Sequence, residues 1–172
     1  MYIVAYVISV IVTLGYLIYM SYEDVTHNRT VPLISNYIAM GVGFVCYNVS
    51  LFIRQAPPNF FNLTLVIGLP LILWITKILG SGDAKALIAI AFMSVFSITK
   101  AGICPHDIEP SVSFGTYAFG ALISFFVSYR KSRKAGRTII EIIKGKGERI
   151  AFFPCMLAGY VITNILLILF VF

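Results

Sequence analysis

Charge is what this sequence has least of. Asp, Glu, Lys and Arg make up only 12% of its 172 residues, about half the share found in an ordinary soluble domain. Hydrophobic residues make up 59%, and the mean hydropathy is +0.93. A water-soluble globule of this length has no interior large enough to hide so much apolar surface. Disorder is excluded too, because disordered chains are poor in aromatics, and here aromatics reach 15%. Cysteine is scarce. Cys46, Cys104 and Cys155 lie far apart and form no C-x-x-C pair, so zinc-ligand spacing is absent. They read as small apolar fillers, with an outer Cys46–Cys104 disulfide as the alternative. His27 and His106 fall in loops without partners at ligand spacing and read as solvated. Neither a metal nor a cofactor is expected.

What the chain does have is long apolar runs, near the 20 residues that cross a bilayer as helix. Six are expected as membrane spans: Tyr2–Met20, Leu33–Ile53, Phe60–Leu79, Ala84–Thr99, Ser111–Ser128 and Ala151–Phe172. The fourth is the shortest and weakest. The first lacks a basic leader and an A-x-A site, so it does not read as a cleaved signal peptide. The runs lack the alternation of a membrane barrel. The expected fold is all-α, a polytopic membrane protein forming a single domain over residues 1–172.

The basic residues set an orientation. Arg29, Lys77, Lys85 and eight residues of the loop 129–150 put 11 of the 13 Lys and Arg on one side. Only Arg54 and Lys100 fall on the other. The positive-inside rule places the eleven in the cytoplasm and both termini outside. Within the long loop, Ile139, Ile140, Ile142 and Ile143 suit a short helix lying against anionic lipid headgroups. No aromatics interleave these charges, which argues against nucleic acid.

Of the seven acids, Asp107, Glu109, Glu141 and Glu148 read as surface charges, whereas Glu23, Asp24 and Asp83 fall at span ends. Asp24 closes the first span and Asp83 opens the fourth, both on the cytoplasmic side. Ionisable groups at membrane depth are costly and point to function. Two close carboxyls cannot both ionise easily and share a proton, as the paired acids of aspartic proteases do. The bland alternative makes each an interfacial cap, with Asp83 favouring the start of its helix.

The surroundings favour chemistry. Asp83 sits in Gly80-Ser81-Gly82-Asp83-Ala84-Lys85, where glycines let a substrate backbone approach. Lys85 either favours the ionised form of Asp83 or snorkels to the surface. Asp24 opens the pattern D-x-x-x-x-R-x-V-P, running through Arg29 to Pro32.

Together these motifs resemble those of the type IV prepilin peptidase family of membrane aspartic proteases. The first looks like that family's D-x4-R-x-I/V-P, the second like its G-x-G-D-x-K. Phe152-Phe153-Pro154 is similar to the Pro-containing start of the family's last helix. Leu33 departs from the pattern, since many members have Asn after the Pro. The resemblance implies that Asp24 and Asp83 are the catalytic pair, with Gly80 and Gly82 as a flexible segment beside them. It further implies that a short basic leader is cut from a prepilin or preflagellin (archaellin) precursor at the cytoplasmic face. The cysteine-bearing region of larger, methylating members is not seen, so peptidase activity alone is expected. The short length looks most like archaeal members. Like charges repel, so the basic loop is assigned to lipid, and Glu23 is the candidate partner for the leader's basic residue. The competing readings are a small proton-coupled transporter and a structural membrane subunit.

Overall fold

A computed structural model describes residues 2–26, 33–55, 57–77, 79–99, 102–105, 110–136 and 151–171. Its architecture is all-α: α1 (Tyr2–Thr26), α2 (Leu33–Arg54), α3 (Phe60–Ile75), α4 (Ser81–Met93), α5 (Pro110–Lys134) and α6 (Phe153–Val171). One short antiparallel hairpin, β1 (Phe96–Thr99) with β2 (Gly102–Pro105), follows α4, in the register Phe96 to Pro105 and Thr99 to Gly102.

The helices are dressed inside out relative to a soluble bundle. On α1 the buried positions are Ser9, Thr13, Leu17, Met20 and Asp24, spaced by three or four residues as one helical face requires. The opposite face exposes Ile3, Val4, Ile8, Ile11 and Ile18. On α2 the inward stripe is Asn36, Ala39, Gly43, Tyr47 and Ser50. Polar and small residues face the protein and large apolar residues face outward, the arrangement suited to lipid. Three helical stretches, Ile3–Thr26, Ile34–Arg54 and Val112–Lys134, are long and apolar enough to cross a membrane, and two shorter apolar helices accompany them.

At the centre lies α4, where every residue from Ala86 to Met93 is buried. It accounts for the weakness of the fourth apolar run. Its alanines let α1, α2, α3 and α5 pack closely around it, so it is shielded by protein on all sides. The expected span Ala84–Thr99 divides: 13 residues of helix, roughly 20 Å at 1.5 Å per residue, end at Ser94, and the chain turns extended at Phe96. Other boundaries shift both ways. α1 continues past Met20 to Thr26, so Asp24 lies inside the helix, and α5 continues past Ser128 to Lys134, whereas α3 stops at Ile75, short of Leu79, and α6 begins at Phe153 rather than Ala151.

α5 and α6 pack antiparallel along glycines. A Cβ added to Gly159 would run into the Thr116 carbonyl and stand 2.7 Å from the Gly120 nitrogen, so only glycine allows this approach. Gly120 faces Met156, which sets the register. In that register α5 projects past the start of α6 by about eleven residues, roughly 16 Å, ending in the exposed Arg130, Lys131, Arg133 and Lys134. Cys46 and Cys155 are free thiols, so the outer Cys46–Cys104 disulfide is not formed. The loop helix expected at 138–144, both histidines, Arg29 and Pro32 lie outside the described residues.

Candidate active site

Three helix ends meet at one end of the bundle. Met20, one turn before Asp24, belongs to the same buried core cluster as Leu79, just before α4, and Phe153, the first residue of α6. This is the end from which the basic tip of α5 projects.

Asp24 is buried, 5% exposed. Its Oδ2 accepts the backbone N–H of Phe153 at 3.0 Å. That N–H opens α6 and has no partner within its own helix, so the carboxylate satisfies it and meets the positive end of the helix dipole.

Asp83 is brought to the same end by a tight turn. α3 stops at Ile75, Lys77 adopts a left-handed conformation (φ 60°), and the Leu79 N–H donates to the Leu73 carbonyl at 3.0 Å. Leu79 is thereby driven into the core and Gly80 becomes the N-cap of α4. Asp83 is the third residue of α4 and accepts the Gly80 N–H through Oδ2 at 3.3 Å. A side chain at Gly80 would crowd that oxygen, since its Cβ would stand 3.0 Å away. Gly80 itself has an ordinary φ of −68°, so closeness rather than unusual backbone is what selects glycine here.

Asp83 stands just ahead of the fourth apolar run and is half-buried. Burial pushes its carboxyl up from 3.8 to about 6; the Gly80 N–H opposes the shift and the negative charge of Asp24 adds to it. The Asp83 carboxyl on α4 is thus close enough to feel the charge of Asp24 on α1.

The supporting residues divide. Gly80 and Gly82 both precede Asp83 in the turn that opens α4. Lys85 turns away to α2, its Nζ donating to the Tyr37 hydroxyl at 3.3 Å and lying 4.5 Å from the ring centroid. It is not among the causes acting on Asp83. Glu23 is half-buried beside Asp24, and Arg29 lies outside the described residues. Two residues not singled out in the sequence complete the surroundings. The Tyr16 hydroxyl donates to Asn36 Oδ1 at 2.6 Å. Asn36 is 1% exposed, and a Cβ added to Gly82 would lie 3.7 Å from its Nδ2. The signal for Asn36 was present as an amide on the inward stripe of an apolar helix. Among the described residues no cluster of three His, Cys, Asp or Glu could hold a metal ion.

No curated protein and no solved structure matches the chain. The profile of the type IV leader peptidase family matches residues 11–129, a stretch that contains both Asp24 and Asp83 and runs from α1 into α5. That stretch is more than half of the 172 residues, and the chain belongs to the type IV leader peptidase family.

Proposed function

We propose that this peptidase is an aspartic endopeptidase. In this reading Asp24 and Asp83 use water to cut a short basic leader from prepilin or preflagellin (archaellin) precursors. The observation that carries it is the convergence of two carboxyls from α1 and α4 at one end of the bundle, where the charge of Asp24 helps to raise the Asp83 carboxyl. Their environments differ in a way that supplies an acid and a base. Asp24 faces the N-terminus of α6, which favours a negative charge. Asp83 is held protonated more readily by burial. Asp24 then takes a proton from water as the water oxygen attacks the scissile carbonyl carbon. Asp83 donates a hydrogen bond, then its proton, to the carbonyl oxygen. Collapse of the tetrahedral intermediate breaks the C–N bond: Asp83 takes back a proton from one of the two hydroxyls as the carbonyl re-forms, and the proton held by Asp24 passes to the leaving amine.

The acid end is also the basic end of α5, so the positive-inside rule assigns it to the cytoplasm, in a multi-pass protein of about six spans with both termini outside. The basic loop 129–150 rests on anionic lipid, and Glu23 receives the leader's Lys or Arg. Replacing Glu23 by Gln then weakens processing of basic leaders, and unchanged processing removes that role. A transporter needs no pair of acids at one membrane face, and family membership favours hydrolysis.

The test is co-expression of a precursor pilin with the wild type, Asp24→Asn or Asp83→Asn. The faster-migrating mature form appears with wild type alone. Cleavage by either variant removes the pair from the mechanism.

A further inference from the structure

We infer that Tyr16 and Asn36 are positioning residues that fix the distance between the two carboxyls, a role that rests on the catalytic pair proposed above.

The argument starts from the weakness of the segment that carries Asp83. Gly80 has no side chain with which to cap α4, and the return bond from its N–H to Asp83 is long at 3.3 Å. With glycine at 80 and 82, the turn has little rigidity of its own. Its support comes from α2. Asn36 faces Gly82, the residue before Asp83, while the adjacent Tyr37 holds Lys85, two residues after it. Two consecutive residues of α2 thus brace both sides of the acid.

The brace is tied to the other acid through α1. Between α1 and α2 lies an apolar cleft of about 370 Å³, lined by Val12, Tyr19, Ile38, Val42 and Met93 together with Tyr16. The bond from Tyr16 to Asn36 crosses from one helix to the other beside it. The Tyr16 hydroxyl donates, so it takes the carbonyl oxygen of the Asn36 amide and turns the NH₂ group toward Gly82. Tyr16 stands eight residues before Asp24 on the same helix, about 12 Å along its axis. Tyr16 and Asn36 thus link α1, which carries Asp24, to the face of α2 that lies beside Gly82 and Asp83. A buried amide in an apolar helix is costly unless its groups are satisfied, and bracing the site is what this one does.

The test uses the full-length protein in proteoliposomes and a synthetic precursor with a basic leader followed by an apolar helix. Wild type, Asp24→Asn, Asp83→Asn, Tyr16→Phe, Asn36→Leu, Asn36→Gln and the double variant Tyr16→Phe/Asn36→Leu are compared. Asn36→Leu is expected to lower kcat on the order of ten- to a hundredfold with KM changed less than about twofold, because misplacement acts on the reacting geometry. Asn36→Gln, which keeps the amide, recovers part of the loss. Tyr16→Phe added to Asn36→Leu costs nothing further, since Tyr16 acts through Asn36. Thermal unfolding of each variant separates misplacement from lost folding. Wild-type kcat in Asn36→Leu, losses that track the unfolded fraction, or additive losses overturn the inference. Cleavage by Asp24→Asn or Asp83→Asn overturns instead the catalytic reading on which it rests.

Discussion

Asp24 Oδ2 accepts the backbone N–H of Phe153 at 3.0 Å, joining residues 129 positions apart. The bond does two things. It locks the cytoplasmic end proposed for α1 onto the start of α6, and it gives one carboxyl a partner that favours its charge. Asp83 has only the longer Gly80 bond and a half-buried setting. The two carboxyls thus sit in different settings, as the proposed division into base and acid requires.

The inequality predicts a pH dependence of cleavage. In the proposed mechanism Asp83 must hold its proton, and its carboxyl is raised to about 6. The rate with saturating precursor is expected to fall as pH rises through about 6, with the apparent value belonging to the pair. A rate that is flat from pH 5 to 8 contradicts the assignment.

Stability carries the same signature with a definite sign. The folded protein holds the Asp83 proton more firmly than the unfolded chain, so this contribution is present below about pH 4 and lost as pH rises to about 6. Asp83→Asn never ionises. Its unfolding temperature in detergent is expected to exceed that of wild type at pH 7 and to match it at pH 4. An equal difference at both values contradicts the burial argument.

Glycine packing between α5 and α6 makes a third expectation. Gly159→Ala places a Cβ against the backbone at Thr116 and Gly120. Forcing the helices apart costs about 2 kcal/mol, read as a lower unfolding temperature. Gly41→Ala meets nothing within 4 Å and gains about 0.5–1 kcal/mol of helix propensity.

Orientation is open to labelling. In a background lacking native cysteines, Lys134→Cys near the acid end is expected to resist a membrane-impermeant maleimide in intact cells. Pro57→Cys, exposed after α2, is expected to react. The reverse pattern inverts the proposed topology.

The membrane class, the helices and the two acid motifs were legible in the sequence because apolar run length and the placing of rare charges carry them. The division of Ala84–Thr99 was not. A protein-buried helix and a lipid-facing one have similar composition, and hydropathy does not see that α4 is wrapped by its neighbours. Lys85 had two readings in the sequence, a charge partner for Asp83 or a snorkelling cation; residues two apart on a helix face different ways, and its Nζ points to Tyr37. Tyr16 and Asn36 were passed over because neither ionises near neutral pH, although an Asn on the inward stripe of an apolar helix is itself an anomaly. The Phe153 bond depends on a backbone group, and no side-chain motif encodes it.

The central claim is that Asp24 and Asp83 act together on water. Single-turnover cleavage of a basic-leader precursor by purified Asp24→Asn and Asp83→Asn, each first shown to be folded by thermal unfolding, addresses it most directly. The account predicts that either change lowers the cleavage rate by about 10³-fold or more. A folded variant that keeps a rate within tenfold of wild type contradicts it.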